Sequence, residues 1–407
     1  MLPLEGIKVV DLSVGVLGPA ATTMLADWGA EVIKVEERHH GDVMRGLAAA
    51  AFGVNSPPVN SYASFLAWDR NRRSIALDIT KPKGREILSK MVKSSDVFVQ
   101  NFRPSASVKL KIDYETISKE NPRIIYAWPS GFGHKGPKGD KPAFDLLIQA
   151  MSGFMRQVGD PDDQPFTSGP FIFDTAAAMA LACGIMTALY VRERTGIGQK
   201  VETSLLGAAI FAQANYINYN LLTGNLLPRS SRGQTMIAGL SMTFKTKDGW
   251  LAMAGVPDQR WPGFCRALGI QHIMEDPKFK TSNSRIANRD DLVALLDKVF
   301  LTKSRDEWVK LLEEADQMVA PVNTYAELAA DPQALANGYI CQFDDPVKGP
   351  TKLTGMPVEL SKTPGKIRCL PPDLGEHTNE ILQDFGYSWE EIAQFTSDEV
   401  VGFAARS

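Results

Sequence analysis

The stretch IKVVDLSVGVLGPAATTMLADWGAEVIKVE, residues 7–36, decides the fold class. Ile7–Leu12 is a strand candidate, and Ser13–Gly18 carries the glycines of a turn. Pro19 suits the first position of a helix, which runs to Trp28 and stops at Gly29. Glu31–Glu36 reads as a second strand. Strand, helix and strand in so short a span form a βαβ unit and predict a parallel, Rossmann-like sheet. Gly15-x-x-Gly18 is not the G-x-G-x-x-G fingerprint, so glycines that only shape the turn explain it as well as a nucleotide site does.

Outward from this unit the same alternation continues. Residues 41–71 are irregular. Ser74–Asp78 is a strand, Lys81–Lys93 an amphipathic helix and Asp96–Gln100 the next strand. Tyr114–Glu120 is a helix, Ile124–Trp128 a strand, and Phe144–Ala150 opens a further helix. Asn101-Phe102-Arg103 and Ser130-Gly131-Phe132-Gly133 follow strand ends, where ligands of open α/β sheets gather. The apolar run Phe171-Ile172-Phe173 reads as a strand handing over through Asp174 to an alanine-rich helix. That helix runs to about Arg194 and is stopped by Gly196. Gln199–Glu202 is strand-like, and a single helix is expected from there to about Leu222. Met242–Lys245 and Trp250–Ala254 form a hairpin about Lys247-Asp248-Gly249, with helices after it. From Asp331 the chain is proline-rich and loop-like until a last helical segment near Thr378.

At 407 residues two domains are expected. The boundaries read as a large domain over 1–205, a linker helix over 206–227, a smaller α+β domain over 228–330 and a return segment over 331–407. A net charge of -3 gives no reason to expect nucleic acid or an anionic membrane as partner. The four cysteines are far apart and the five histidines lack metal-ligand spacing, so neither a metal nor a disulfide scaffold is expected. The start lacks a signal-peptide pattern and no run of about 18 uninterrupted apolar residues occurs, so a cytoplasmic protein is expected. From the residues alone, Asp174 either caps its helix or is a functional carboxylate.

Many short motifs then resemble one family in number and order. They are L-x-G-I-K-V-V-D-L-S, the segment from Gly18 to Glu36, N-R-R-S-I-A-L-D, V-x-N-F-R-P and R-x-R-T-G-I-G-Q-K-V. K-D-G-W-L-A-M-A, D-P-K-F, A-P-V-N-T, L-S-K-T-P-G and L-G-E-H-T-N-E-I-L complete the set. Together they resemble the class III CoA-transferases, typified by formyl-CoA transferase and carnitine CoA-transferase, over nearly the whole chain.

The resemblance implies an acyl-CoA:carboxylate CoA-transferase, with CoA thioesters as substrates and no permanently bound cofactor. Asp174 matches the family's catalytic aspartate, with Phe173 before it and Met179 after it. The implied course is attack on the thioester, a mixed anhydride, an aspartyl-CoA thioester and transfer to the acceptor acid. Burial beside Phe171 and Phe173 should strengthen that carboxylate, and the helix N-terminus should favour its anion. CoA contacts carry over to Val16 and Leu17, Arg38, Leu77, Asp78, Ile79 and Thr80. They also carry over to Asn101, Phe102 and Arg103, to Lys109, and to Ser130, Gly131, Phe132 and Gly133. Arg72 and Arg73 would join Arg38, Arg103 and Lys109 in a phosphate-binding cluster. Family members form interlocked dimers, some from two different subunits. The related α-methylacyl-CoA racemases place a histidine before an aspartate where this chain has Phe144-Asp145, which disfavours that alternative. A non-catalytic CoA-binding subunit is disfavoured by Asp174. The family's glycine-rich flap corresponds to Ser230–Gln234, which has few glycines, and the small apolar segment Leu47–Phe52 hints at an uncharged or aromatic acyl group.

Overall fold

The computed structural model describes residues 1–46, 58–237, 239–346 and 349–403. Two compact units emerge, one of residues 1–152, 168–212 and 332–407, the other of 153–167 and 213–331.

The first unit is built on a seven-stranded sheet. Its strands are β1 (Lys8–Asp11), β2 (Glu31–Glu36), β3 (Arg72–Leu77), β4 (Val97–Val99), β5 (Ile125–Ser130) and β6 (Gln199–Ser204), with Val401–Gly402 as the seventh. Neighbours run in the order Val401–Gly402, β3, β2, β1, β4, β5, β6. All pairs are parallel except Val401–Gly402 against β3. The central strands are covered on both faces, as parallel sheets require, so Val10, Phe98 and Tyr126 are at most 1% exposed. Between them lie α1 (Leu17–Asp27), α2 (Pro82–Lys93), α3 (Pro104–Leu110), α4 (Tyr114–Glu120), α5 (Asp145–Met151), α6 (Ile172–Thr195) and α7 (Leu205–Ala212).

The expected βαβ unit is present, and its turn has a physical explanation. Gly15 has φ 86, which favours glycine, and a Cβ on Gly18 would land on Ser13. Beneath that turn lies a buried charged network. Asp11 accepts from Ser13 N at 2.9 Å and pairs with Arg72 at 3.0 Å. Lys34 pairs with Asp42 at 2.8 Å and Asp69 at 3.1 Å, and Asp42 accepts from Gly15 N at 3.1 Å. Burial alone would lower the Lys34 ammonium, but Asp42, Asp69 and Asp11 hold it above its usual range.

Several expectations change. Phe171–Phe173 is not a strand: α6 begins at Ile172, because the amides of Phe173 and Asp174 are claimed by a side chain rather than by a neighbouring strand. The single helix expected through Leu222 is broken into α7 and Ala214–Thr223. The tail past Asp331 holds an antiparallel hairpin, Ile340–Asp345 with Gly349–Thr354, and ends on the strand that pairs with β3. Helix α6 is long and apolar enough to cross a membrane, yet Phe173, Ala177, Leu181 and Ile185 are buried in the fold. It ends at Gly196, in the left-handed region with φ 76, whose N–H bonds Arg192 O at 2.7 Å.

The second unit carries the expected hairpin, with Lys245 opposite Trp250, and a third strand, Val319–Pro321, that its short length hid. Its core packs Phe244, Trp261, Phe264, Phe300 and Trp308. The Ser230–Gln234 segment is pinned here: Arg232 O accepts from Thr243 N at 2.7 Å and its guanidinium grips Asp297. A Cβ on Gly233 would strike Ser241 O, so this glycine serves close pairing with the strand. The acyl-group hint at Leu47–Phe52 lies outside the described residues.

Candidate active site

The sheet reverses its strand order between β1 and β4, and crevices at such switch points receive ligands in open α/β sheets. The loops on either side are clamped together. Asn101 Oδ1 accepts from Val14 N at 3.1 Å, and Asn101 Nδ2 donates to Val14 O at 2.7 Å. Next along, Phe102 N donates to Gln100 Oε1 at 2.7 Å and Phe102 O accepts from Trp128 Nε1 at 2.9 Å. After β5, Ser130 Oγ accepts from Gly133 N at 3.0 Å.

The expected CoA positions thus follow the carboxyl ends of β1 to β5, but their side chains differ in what they can offer. Val16, Leu17, Leu77 and Ile79 are buried among apolar neighbours, leaving only their backbone for a ligand. Asp78 is spent locally, accepting from Thr80 N at 2.9 Å and Thr80 Oγ1 at 2.6 Å. Burial would raise its carboxyl, but the Thr80 bonds hold it below the usual range. Arg38 reaches His39 Nε2 at 2.9 Å and Glu399 at 3.4 Å. Arg103 and Lys109 are exposed. Phe132 carries Lys138 over its ring, 5.3 Å from the centroid.

Arg72 and Arg73 do not join a phosphate cluster. Arg72 is fully buried between Asp11 and Asp69, and Arg73 pairs with Glu380 at 2.7 Å and Asp384 at 2.6 Å. Of these partners only Asp69 is near in sequence; Asp11, Glu380 and Asp384 lie far off, so a run of cations there looks like an open binding face.

The β5 loop leads directly to Asp174. Gly131 packs so closely on Ala143 that a Cβ would clash, and two residues later Asp145 opens α5. Asp145 Oδ2 accepts from Phe173 N at 2.7 Å and from Asp174 N at 3.0 Å, while Gln149 Nε2 donates to Asp145 Oδ1. Gln149 Oε1 in turn accepts from Ser168 N at 2.9 Å. The cap of α6 is therefore a carboxylate from another helix, and Asp174 sits in the first turn without capping anything. Asp174 is half-buried, and its carboxyl is pushed up to about 7, first by burial and then by the negative charge of Asp145. The expectation that the helix amides would favour its anion is thus revised: Asp145 takes those amides and opposes a second charge.

Asp145 is the residue of this arrangement that the sequence alone does not single out. Its signal was an aspartate at a helix start with Gln149 one turn on, but the triplet drew notice only for Phe144. Phe144 is 71% exposed and offers no proton-transferring group beside it. The nearest histidine in sequence, His134, stacks on Trp128 with centroids 3.7 Å apart and pairs with Glu202 at 3.0 Å. Burial holds His134 below its usual range despite Glu202. No cluster of three or more His, Cys, Asp or Glu suited to a metal occurs among the described residues.

A family model described as CoA-transferase family III matches residues 4–378. The chain belongs to CoA-transferase family III. This transferase is 33% identical to the (R)-2-hydroxy-4-methylpentanoate CoA-transferase of Clostridioides difficile, over 98% of this chain and 100% of that one. It is also 33% identical to the succinyl-CoA:glutarate CoA-transferase of Mus musculus, over 94% of this chain and 86% of that one. Its fold is similar to a CAIB/BAIF family protein from Brucella suis, with a TM-score of 0.84 and 32% identity, covering 94% of this chain and 99% of that one. The transferase is an enzyme that moves CoA from an acyl-CoA to a carboxylic acid.

Proposed function

We propose that Asp174 performs this transfer as a covalent nucleophile. The observation that carries the reading is its setting: a half-buried carboxylate in the first turn of α6, next to the loops at the carboxyl edge of the sheet, with the helix amides already occupied by Asp145. A carboxylate stripped of water is a stronger nucleophile than a hydrated one, and a carboxyl near pH 7 retains a useful anionic fraction.

In this account an Asp174 oxygen attacks the thioester carbonyl carbon, and the carbon–sulfur bond breaks to release CoA thiolate. The product is a mixed anhydride. The thiolate then attacks the Asp174 carbonyl of that anhydride and releases the donor carboxylate, leaving an aspartyl-CoA thioester. The acceptor carboxylate attacks this thioester, and returning thiolate cleaves the second anhydride on its acyl side. Asp174 is regenerated with no net proton change, and covalent catalysis divides one transfer into four displacements.

CoA lies along the loops after β1 to β5 in this reading. Backbone at Val16, Leu17, Leu77 and Ile79 meets its apolar parts, and Arg38, Arg103 and Lys109 face its phosphates. Two chains interlock as a dimer. Support comes from the outer face of α6, where Met179, Tyr190 and Val191 are 51%, 63% and 37% exposed, and from Phe211 on α7 at 85%. Four free cysteines suit a cytoplasmic enzyme.

The direct test is Asp174→Asn and Asp174→Ala. Both should bind acyl-CoA with near-normal affinity and lose exchange of labelled CoA into the acyl-CoA pool by at least about a thousandfold. Retained exchange in either variant would refute the nucleophile.

A further inference from the structure

The turn between β1 and α1 is gripped from beneath by buried charge, and the grip bears on how CoA is received. We propose that Lys34 and Asp42 are positioning residues of the CoA site: their buried pair fixes the Ser13–Gly15 turn, and with it the backbone of Val16 and Leu17 that meets CoA. This inference rests on the reading that CoA lies along the loops after β1 to β5.

Every backbone polar group from Ser13 N to Gly15 N is held by a side chain. Asp11 Oδ1 accepts from Ser13 N at 2.9 Å, and Lys34 Nζ donates to Ser13 O at 3.2 Å. Asn101, after β4, takes both Val14 N and Val14 O. Asp42 Oδ1 accepts from Gly15 N at 3.1 Å. Val16 and Leu17 come next, both buried, at the start of α1. A turn whose donors and acceptors are already satisfied is fixed before a ligand arrives, so CoA packing on it has no loop to order.

The sheet itself does not call for this pair. Lys34 stands between Ile33 and Val35 in a parallel strand, and neither its side chain nor that of Asp42 is exposed at all. A buried ion pair is often no better for stability than well-packed apolar residues in its place. What apolar residues would lack is the grip on the turn. The N–H donors of Lys34 go to Asp42 at 2.8 Å, Asp69 at 3.1 Å and Ser13 O, which leaves the ammonium no freedom to swing. Asp42 is fixed as well: its own N–H donates to Glu36 Oε2 at 3.0 Å, and its Oδ1 also accepts from Met44 N at 2.8 Å.

The experiment compares two double variants that remove the pair together, Lys34→Met/Asp42→Asn and Lys34→Met/Asp42→Leu, while Asp69 keeps Arg72 at 2.9 Å. The first retains a carbonyl acceptor for Gly15 N and the second does not. Both are assayed well below their melting temperatures, where a difference in stability alone leaves KM unmoved. The KM for acyl-CoA should rise about 30-fold or more in the leucine variant and about threefold in the asparagine variant, with kcat within about twofold of wild type in both. Amide hydrogen exchange of the wild-type enzyme, which needs no variant to fold, is the second measurement. Residues 13–15 should be protected before CoA is added, and CoA should add protection over 16–17, 101–103 and 130–133. Equal KM values in the two variants, or a turn protected only once CoA binds, overturns the inference while leaving CoA at these loops. No added protection at any of these loops overturns the placement of CoA, and the inference with it.

Discussion

Asp145 Oδ2 accepts hydrogen bonds from the backbone N–H groups of both Phe173 and Asp174, so one carboxylate caps the helix that presents another. The pairing separates two jobs that a first-turn aspartate usually combines. Asp145 stabilises the helix end, and Asp174 is left with burial and a like charge nearby, which push it up to about 7. Because the anion is the nucleophile, kcat/KM should rise with pH through about 7 and level off above it. Asp145→Asn keeps an acceptor for the two amides but removes the charge. Its acid limb should move to lower pH, by about one unit, in a pH–rate profile. Asp145→Ala should in addition cost about 1–3 kcal/mol of stability by orphaning the amides, measured by urea unfolding.

The same shift makes a statement about stability. The carboxyl of Asp174 ordinarily titrates at 3.8, so between that value and about 7 the folded state binds its proton more tightly than the unfolded state does. Stability contributed by this group is present at low pH and is lost as pH rises through that window. Asp174→Asn should therefore be more stable than wild type at pH 8, by about 1–3 kcal/mol, and equal to it at pH 4. Thermal denaturation at the two pH values checks the sign.

The Asn101 side chain holds Val14 by both its N–H and its carbonyl, across the switch point of the sheet. Asn101→Ala removes two hydrogen bonds of about 1 kcal/mol each and frees the two loops to part. The KM for acyl-CoA should increase about tenfold with little change in kcat, which steady-state kinetics separates.

Arg72 and Arg73 are neighbours with opposite fates. Arg72→Ala breaks a fully buried network and should cost about 3–5 kcal/mol. Arg73→Ala loses surface pairs worth about 0–1 kcal/mol. Neither serves the CoA phosphates in this account, so CoA affinity of Arg73→Ala, measured by calorimetry, should match wild type.

These two arginines mark where the sequence was legible and where it was not. Patterns that close within a few residues were readable: the β1–α1–β2 unit, helices α2 and α4, and the hairpin at Lys247-Asp248-Gly249. Asp174 itself stood out through the motifs around it. Features that depend on distant partners were hidden. Phe171–Phe173 has the composition of a strand, and only the Asp145 carboxylate, remote in sequence, makes its amides helical. Arg72 becomes structural through Asp11, and Val401–Gly402 is too short to declare a strand before it meets β3. The site's chemistry was visible in one residue, and its electrostatics required the second.

The central claim is that Asp174 is acylated during transfer. Incubating the enzyme with acyl-CoA, quenching with hydroxylamine and sequencing the α6 peptide by mass spectrometry tests it most directly. The account predicts a hydroxamate at Asp174 that appears only with acyl-CoA and is missing in Asp174→Asn. An unmodified Asp174 under turnover, or a hydroxamate at Asp145 in its place, would contradict it.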